Sequence, residues 1–168
     1  MMATALFIKR ADLVKNTALS GNVDTDKFIH FIKLAQEIHI RNYLGSDLYD
    51  KISSDILASG LTGDYLELVN DYIQPMLIHF AMSEYLPFAA YTIANGGVYK
   101  HNSENSTQPL KEEIDSLTAK ERDYAEYYTN RFIEYMSFHA PSKFPEYYTN
   151  NNEDVYPDKD SLYEGWVL

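Results

Sequence analysis

The side chains first in line for chemistry are five histidines, His30, His39, His79, His101 and His139, and the carboxylates near them. An imidazole beside a carboxylate can hold a divalent metal or carry a proton. A small helical enzyme or metal-binding bundle built on this chain would use His79 and Glu84, with His39 or Glu37 beside them. The spacings speak against it. His30 and His39 do not share one metal-binding turn, and no H-E-x-x-H occurs. A ferritin-like di-metal bundle needs Glu-x-x-His on two helices, and neither copy is present. His79 and Glu84 stand at i and i+5, off a common helical face, and read as polar groups at the edge of a core. Asp24-Thr25-Asp26 and Asp158-Lys159-Asp160 open like calcium loops but lack the glycine and closing glutamate. Gly96-Gly97 is not followed by the G-K-[ST] of a phosphate loop, and there is no G-x-S-x-G. With no cysteine, there is no thiolate and no disulfide, which fits a reducing cytosol. These absences predict no catalytic residue, no metal and no cofactor: a protein that is not an enzyme.

The bulk properties narrow the partners. A chain of 168 residues with 45 % hydrophobic residues suits one globular domain. Its net charge is −11, with no Lys/Arg cluster, so it has no basic patch with which to grip DNA or RNA by the phosphates. An acidic wall along which nucleic acid slides is compatible with that charge, as is simple solubility. The aromatic load is 15 Tyr, 8 Phe and 1 Trp. Tyrosine joins apolar area to a polar tip, which suits a surface buried on assembly; a Tyr-rich core is the alternative. The start, MMATALFIKR, has too short an apolar run for a signal peptide. Met76 to Ala94 is the most apolar stretch, but His79, Ser83, Glu84 and Pro87 make it a buried central helix rather than a membrane span.

The elements that must carry these groups are helical. Residues 1–9 form an extended lead, and Arg10 to Leu19 a short helix with Leu13 and Val14 inward. From Asp24 to Leu44, Phe28, Phe31, Ile32, Ala35, Ile38 and Tyr43 recur at helical spacing. Asp24 caps this helix and Val23 staples onto Phe28. Gly45 stops it, and Ser46 caps a second helix, Asp47 to Ala58, with Leu48, Tyr49, Ile52 and Ile56 inward. Thr62 begins a long helix whose apolar stripe reaches Phe88 and Tyr91, interrupted at Pro75 and Pro87 and stopped at Asn95-Gly96-Gly97. Residues 95–109 are a polar loop or small β-hairpin. After one or two helical turns at Leu110 to Leu117, Thr118 and Glu121 form a capping box for a helix that Pro141 ends.

The fold class expected is all-α: a small bundle of four to five helices with a long polar loop or β-hairpin and an extended C-terminal arm. The bundle occupies residues 1–140 and the arm residues 141–168. From Phe144 onward the chain holds six acids and one lysine, yet it is rich in aromatics. That combination reads as an arm with apolar anchors that reaches another subunit, against the alternative that it wraps its own domain.

Leu44-Gly45 and its flanks carry a resemblance. A helix bearing Ala35, an aromatic, Leu-Gly and then a helix opening Leu48-Tyr49 resembles the early helical hairpin of tailed-phage head–tail connector proteins, the adaptor or head-completion family. The likeness extends to the lead FIKRADL (Phe7 to Leu13) and the loop VYKHNSENS (Val98 to Ser106), and covers roughly residues 6–139. It is also similar to structural proteins of phages and prophages of gut Bacteroidetes, including crAss-like phages. The long acidic arm after Pro141 departs from the short connector pattern.

The resemblance implies a structural virion protein at the neck, assembled in the bacterial host cytoplasm, with no membrane. Its partners would be copies of itself in a ring, commonly a dodecamer, the portal protein above and further neck or tail proteins below. DNA would pass through the channel without specific binding. A host protein-binding adaptor module is the remaining alternative. The partner contacts expected are Gly96, Gly97, Val98, Tyr99, Lys100, His101 and Asn105 in the loop, and Tyr156, Tyr163, Trp166, Val167 and Leu168 in the arm. Leu44, Gly45 and Ser46 form the structural corner that fixes the angle of the subunit.

Overall fold

The computed structural model describes residues 5–19, 25–89, 91–100, 109–151 and 154–160. Helices dominate, in the order α1 (Arg10–Asn16), α2 (Thr25–Ala35), α3 (Arg41–Leu44), α4 (Ser46–Leu57), α5 (Gly63–Leu68), α6 (Gln74–Tyr85), α7 (Lys111–Lys143) and α8 (Pro145–Thr149). A π-helical turn, Gln36–Ile40, joins α2 to α3, and another, Val69–Ile73, joins α5 to α6. The all-α bundle is therefore what the chain forms. Its centre is α6, buried on all sides through Met76, Leu77, Ile78, Phe80, Ala81 and Met82, with α2 on one flank and α7 on the other. No helix of the described residues is long and apolar enough to cross a membrane.

The first π turn corrects the apolar stripe read from the sequence. One extra residue per turn rotates everything beyond it by about 100°. Ile38, expected inside, stands half in solvent, while Gln36 is carried into the core at 1 % exposure. There its amide is spent on the N-terminal lead. Gln36 Oε1 accepts from Phe7 N–H at 3.0 Å, and its Nε2 donates to Ala5 O at 2.7 Å and to Tyr49 Oη at 2.9 Å. Gln74, just after the second π turn, donates to Phe7 O at 2.9 Å. Two side-chain amides thus satisfy an extended segment that has no sheet to join, and Phe7 and Ile8 are buried with it.

Pro75 and Pro141 are both accommodated within helices. Pro75 sits in the first turn of α6, and the carbonyl four residues back belongs to the π turn, where the ordinary ladder is already displaced. Pro141 does not end its helix: α7 runs two residues beyond it. The helix also has a single start. Thr118 lies inside it, its hydroxyl bonded to Ile114 O, and the terminal N–H of Leu110 goes to the Glu113 carboxylate at 2.7 Å. Asp24 and Val23, the expected cap and staple, lie outside the described residues, as does the turn at residues 20–22.

The long central helix is also shorter than its apolar stripe suggested. It ends at Tyr85, a 3₁₀ turn follows at Leu86–Phe88, and Tyr91 opens a strand instead. Strands β1 (Tyr91–Ala94) and β2 (Gly97–Lys100) pair antiparallel across the turn Asn95-Gly96.

Gln36→Ala removes three buried hydrogen bonds and leaves Phe7 N–H and Ala5 O without partners. We expect a loss of about 2–4 kcal/mol in urea unfolding, with the α-helical circular dichroism of the folded state unchanged.

Candidate functional site

The corner between α3 and α4 is built on Gly45, whose φ of 73° and ψ of 163° are open to glycine alone. The backbone there turns abruptly, and Tyr43, Leu44, Ser46 and Leu48 on either side are all buried. A helix end leaves carbonyls without partners and the next helix start leaves N–H groups without partners. The chain supplies them from its own C-terminal segment. Ser46 N–H donates to Val155 O at 2.9 Å, Val155 N–H returns to Ser46 Oγ at 2.9 Å, and Asp158 N–H donates to Asn42 O at 2.9 Å. Asn150, left-handed at φ 38° and buried, accepts from Asp47 N–H through Oδ1 at 3.3 Å and donates to Val155 O at 3.1 Å. Pro157 closes over the glycine: a Cβ at position 45 would stand 2.6 Å from its Cγ.

Residues 154–160 are thus a strap across the corner, and the segment before them is core. Phe144 is fully buried, Tyr147 is 3 % exposed, and α8 packs on α4. The expectation of an arm that starts at residue 141 and reaches outward is corrected for this part: the described segment wraps its own domain. Ser46 is corrected too. It does not cap α4, because its hydroxyl faces the strap and donates to Asp154 Oδ2 at 3.0 Å. Tyr156 alone of the expected arm contacts is described, and it is exposed, with Lys159 held between its ring and that of Tyr147. Tyr163, Trp166, Val167 and Leu168 lie outside the described residues.

The electrostatics of the strap centre on Arg41. Its Nη2 is 2.7 Å from Asp154 Oδ2, its Nη1 3.4 Å from Glu37 Oε2, and its guanidinium lies over the Tyr49 ring. Burial alone would lower the Arg41 pKa, but the Asp154 and Glu37 carboxylates outweigh it and raise it. The Ser46 hydroxyl and then Arg41 hold Asp154 below the usual aspartate range. Burial pushes the Tyr49 phenol up to about 12 and the Tyr147 phenol likewise to about 12.

The expected loop contacts lie on the hairpin. Gly96, Gly97, Val98 and Lys100 are exposed, Val98 at 66 %, and Tyr99 pairs with Thr92. His101 and Asn105 lie outside the described residues. Gly97 takes φ 133°, so a side chain there would be strained.

The histidines go to separate partners. His39 Nε2 is 2.9 Å from Glu84 Oε1, with its ring stacked on Phe80. His79 Nδ1 is 2.7 Å from Glu121 Oε2, with its ring parallel to Tyr128. His79 and Glu84 do not join each other, and Glu37 is held by Tyr49 Oη and Arg41. Each pair ties α6 to a flanking helix. His79 also lines a polar cleft of about 320 Å³ with Asp12, Lys15, Gln74 and Tyr128, a lining that includes no Ser, Thr or Cys. Among the described residues no group of three His, Cys, Asp or Glu is placed to hold a metal.

Comparison with known proteins gives one match. A family profile described as a family of unknown function (DUF6712) matches residues 40–157. No curated protein and no solved structure matches. The matched stretch opens at the corner and closes at Pro157, the residue that covers it. No single stretch of sequence marked the strap beforehand. The nearest signal was Asn150 and Pro157, two turn-forming residues inside an otherwise aromatic arm.

Gly45→Ala adds left-handed strain to a clash with Pro157, and we expect a loss of about 2 kcal/mol or more in chemical denaturation, with faster proteolysis of residues 150–160. Because the Asp154 pKa is lowered in the fold, its contribution is fully present above about pH 4 and fades as pH falls through its lowered value. Proteolysis at the strap should therefore stay slow at neutral pH and quicken in acid. In Asp154→Asn, which loses the charge, that dependence should largely vanish.

Proposed function

The chain belongs to DUF6712, a family of unknown function, and we propose that it is a structural virion protein, a head–tail connector ring subunit beneath the portal. It continues the DNA channel and joins the tail, and it performs no catalysis. The single observation that carries this reading is the hairpin. Strands β1 and β2 present an exposed turn and exposed Val98 from the end of a rigid helical body. A lone two-stranded hairpin is marginal in water. Its open backbone edges suit addition to a neighbouring chain. The sequence likeness to connector proteins, at the Leu44-Gly45 corner and through Val98 to Ser106, points the same way.

The locked corner supports it further. A subunit in a closed ring must keep a constant wedge angle, since small errors accumulate around the circle. The strap, Gly45 and the Gln36 clamp all remove freedom from that angle. The net charge of −11 suits a wall that DNA passes without adhering.

Negative-stain microscopy of the full chain, alone and mixed with a tailed-phage portal protein, tests the reading. We expect closed rings seated on the portal. A variant with residues 92–99 replaced by a short Gly-Ser link should remain helical but fail to seat. Equal assembly with and without the hairpin, or no association with the portal at all, contradicts the proposal.

A further inference from the structure

A groove of about 220 Å³ opens between the C-terminal part of α7, α8 and the end of the strap. Met136 and Ala140 of α7 and Tyr147 of α8 line it and are buried. Ser137 stands exposed on the α7 side, and Tyr148 on the α8 side is 58 % exposed. Lys159 of the strap is the one charged side chain in the lining. Small-molecule sites run from about 300 Å³ upward, so this groove suits one or two side chains rather than a cofactor. The described chain stops at its rim. Lys159 is fixed there, its ammonium over the rings of Tyr147 and Tyr156. Asp160 N–H then donates to Asp158 Oδ1 at 3.0 Å, which turns the backbone. The sequence SLYEGWVL, residues 161–168, follows and lies outside the described residues.

We propose that residues 161–168 continue the strap into this groove, with the Trp166 ring as the anchor. The tether selects the occupant. Trp166 is six residues past Asp160, a reach of up to about 20 Å in extended chain. A tether that short holds the ring at an effective concentration on the order of millimolar, which a free partner has to match. The chemistry agrees with the lining. Leu162, Tyr163, Trp166, Val167 and Leu168 are apolar or aromatic, and Glu164 is the one charged side chain of the segment, opposite in sign to Lys159. Tryptophan buries the most area for the fewest torsions, and Tyr147 and Tyr148 offer it aromatic neighbours. The strap is then held at both ends, by its bonds to the corner at Val155 and Asp158 and by a ring in the groove beyond. The inference rests on the groove and the strap and is independent of the virion reading.

Trp166 is the single tryptophan of the chain, so its fluorescence reports this ring without background. In the folded full chain we expect emission shifted to the blue of the urea-unfolded chain and weaker quenching by acrylamide, both unchanged on dilution. Ser137→Arg, at an exposed position, fills the groove from the α7 side. It should shift the emission to the red and restore quenching, with the helical circular dichroism unchanged. Tyr148→Ser removes an exposed wall on the α8 side and should raise quenching in the same direction. Emission at the unfolded position in the folded full chain overturns the proposal. So does shielding that survives both substitutions, which puts the ring elsewhere, and shielding lost on dilution, which makes the occupant a second copy.

Discussion

The structure depends on a glycine that has no room for a side chain. Gly45 turns the chain between two buried helix ends, and that turn leaves N–H groups at the start of α4 and a carbonyl at the end of α3 unsatisfied. Solvent does not reach Ser46, so its partner has to be protein. Val155 supplies it, and Pro157 lies so close that position 45 must remain glycine. The C-terminal segment is therefore held in place by the corner it completes, and α8 beneath it is drawn into the core through Phe144 and Tyr147. The family match, which begins at the corner and ends at the strap, spans both halves of this contact.

Much of the helical frame was legible because it rests on periodicity. Phe28, Ile32 and Ala35, then Leu48 and Ile52, are apolar at helical spacing and are buried as the spacing requires. Gly45 was legible as a break because glycine follows a helix and a polar pair begins the next. What the sequence concealed has a common cause: one-residue shifts and backbone-to-backbone bonds leave no compositional trace. The π turn at Gln36 looks like any helical segment, yet it turned Ile38 outward and placed an amide in the core. Two of the strap's bonds, Ser46 to Val155 and Asp158 to Asn42, join main-chain groups, which every residue possesses. The rest use the side chains of Ser46 and Arg41 on one side and of Asn150 and Asp154 on the other, far apart in sequence. Tyr91 was misread because an apolar run of mixed type fits a helix as well as a strand, and only the Asn95-Gly96 turn decides it. The aromatic excess left a surface buried on assembly and an aromatic core both open, and Phe144 and Tyr147 belong to the core of their own domain.

Two kinds of surface remain after the core is closed. The hairpin offers open backbone edges with Tyr91 and Val98 exposed. Along α7, Leu110, Leu117 and Phe138 stand exposed. The His39–Glu84 and His79–Glu121 pairs stand between α6 and its flanks, where they tie helices together rather than converge on a common point.

Hydrogen exchange at single amides tests most directly whether the chain closes its own corner. The N–H groups of Ser46, Val155 and Asp158 each donate across the contact in the isolated chain. The account predicts that they exchange as slowly as the helical amides of α4 that they adjoin. Rapid exchange at all three, with α4 and α7 still protected, would show the strap to be free and the central claim wrong.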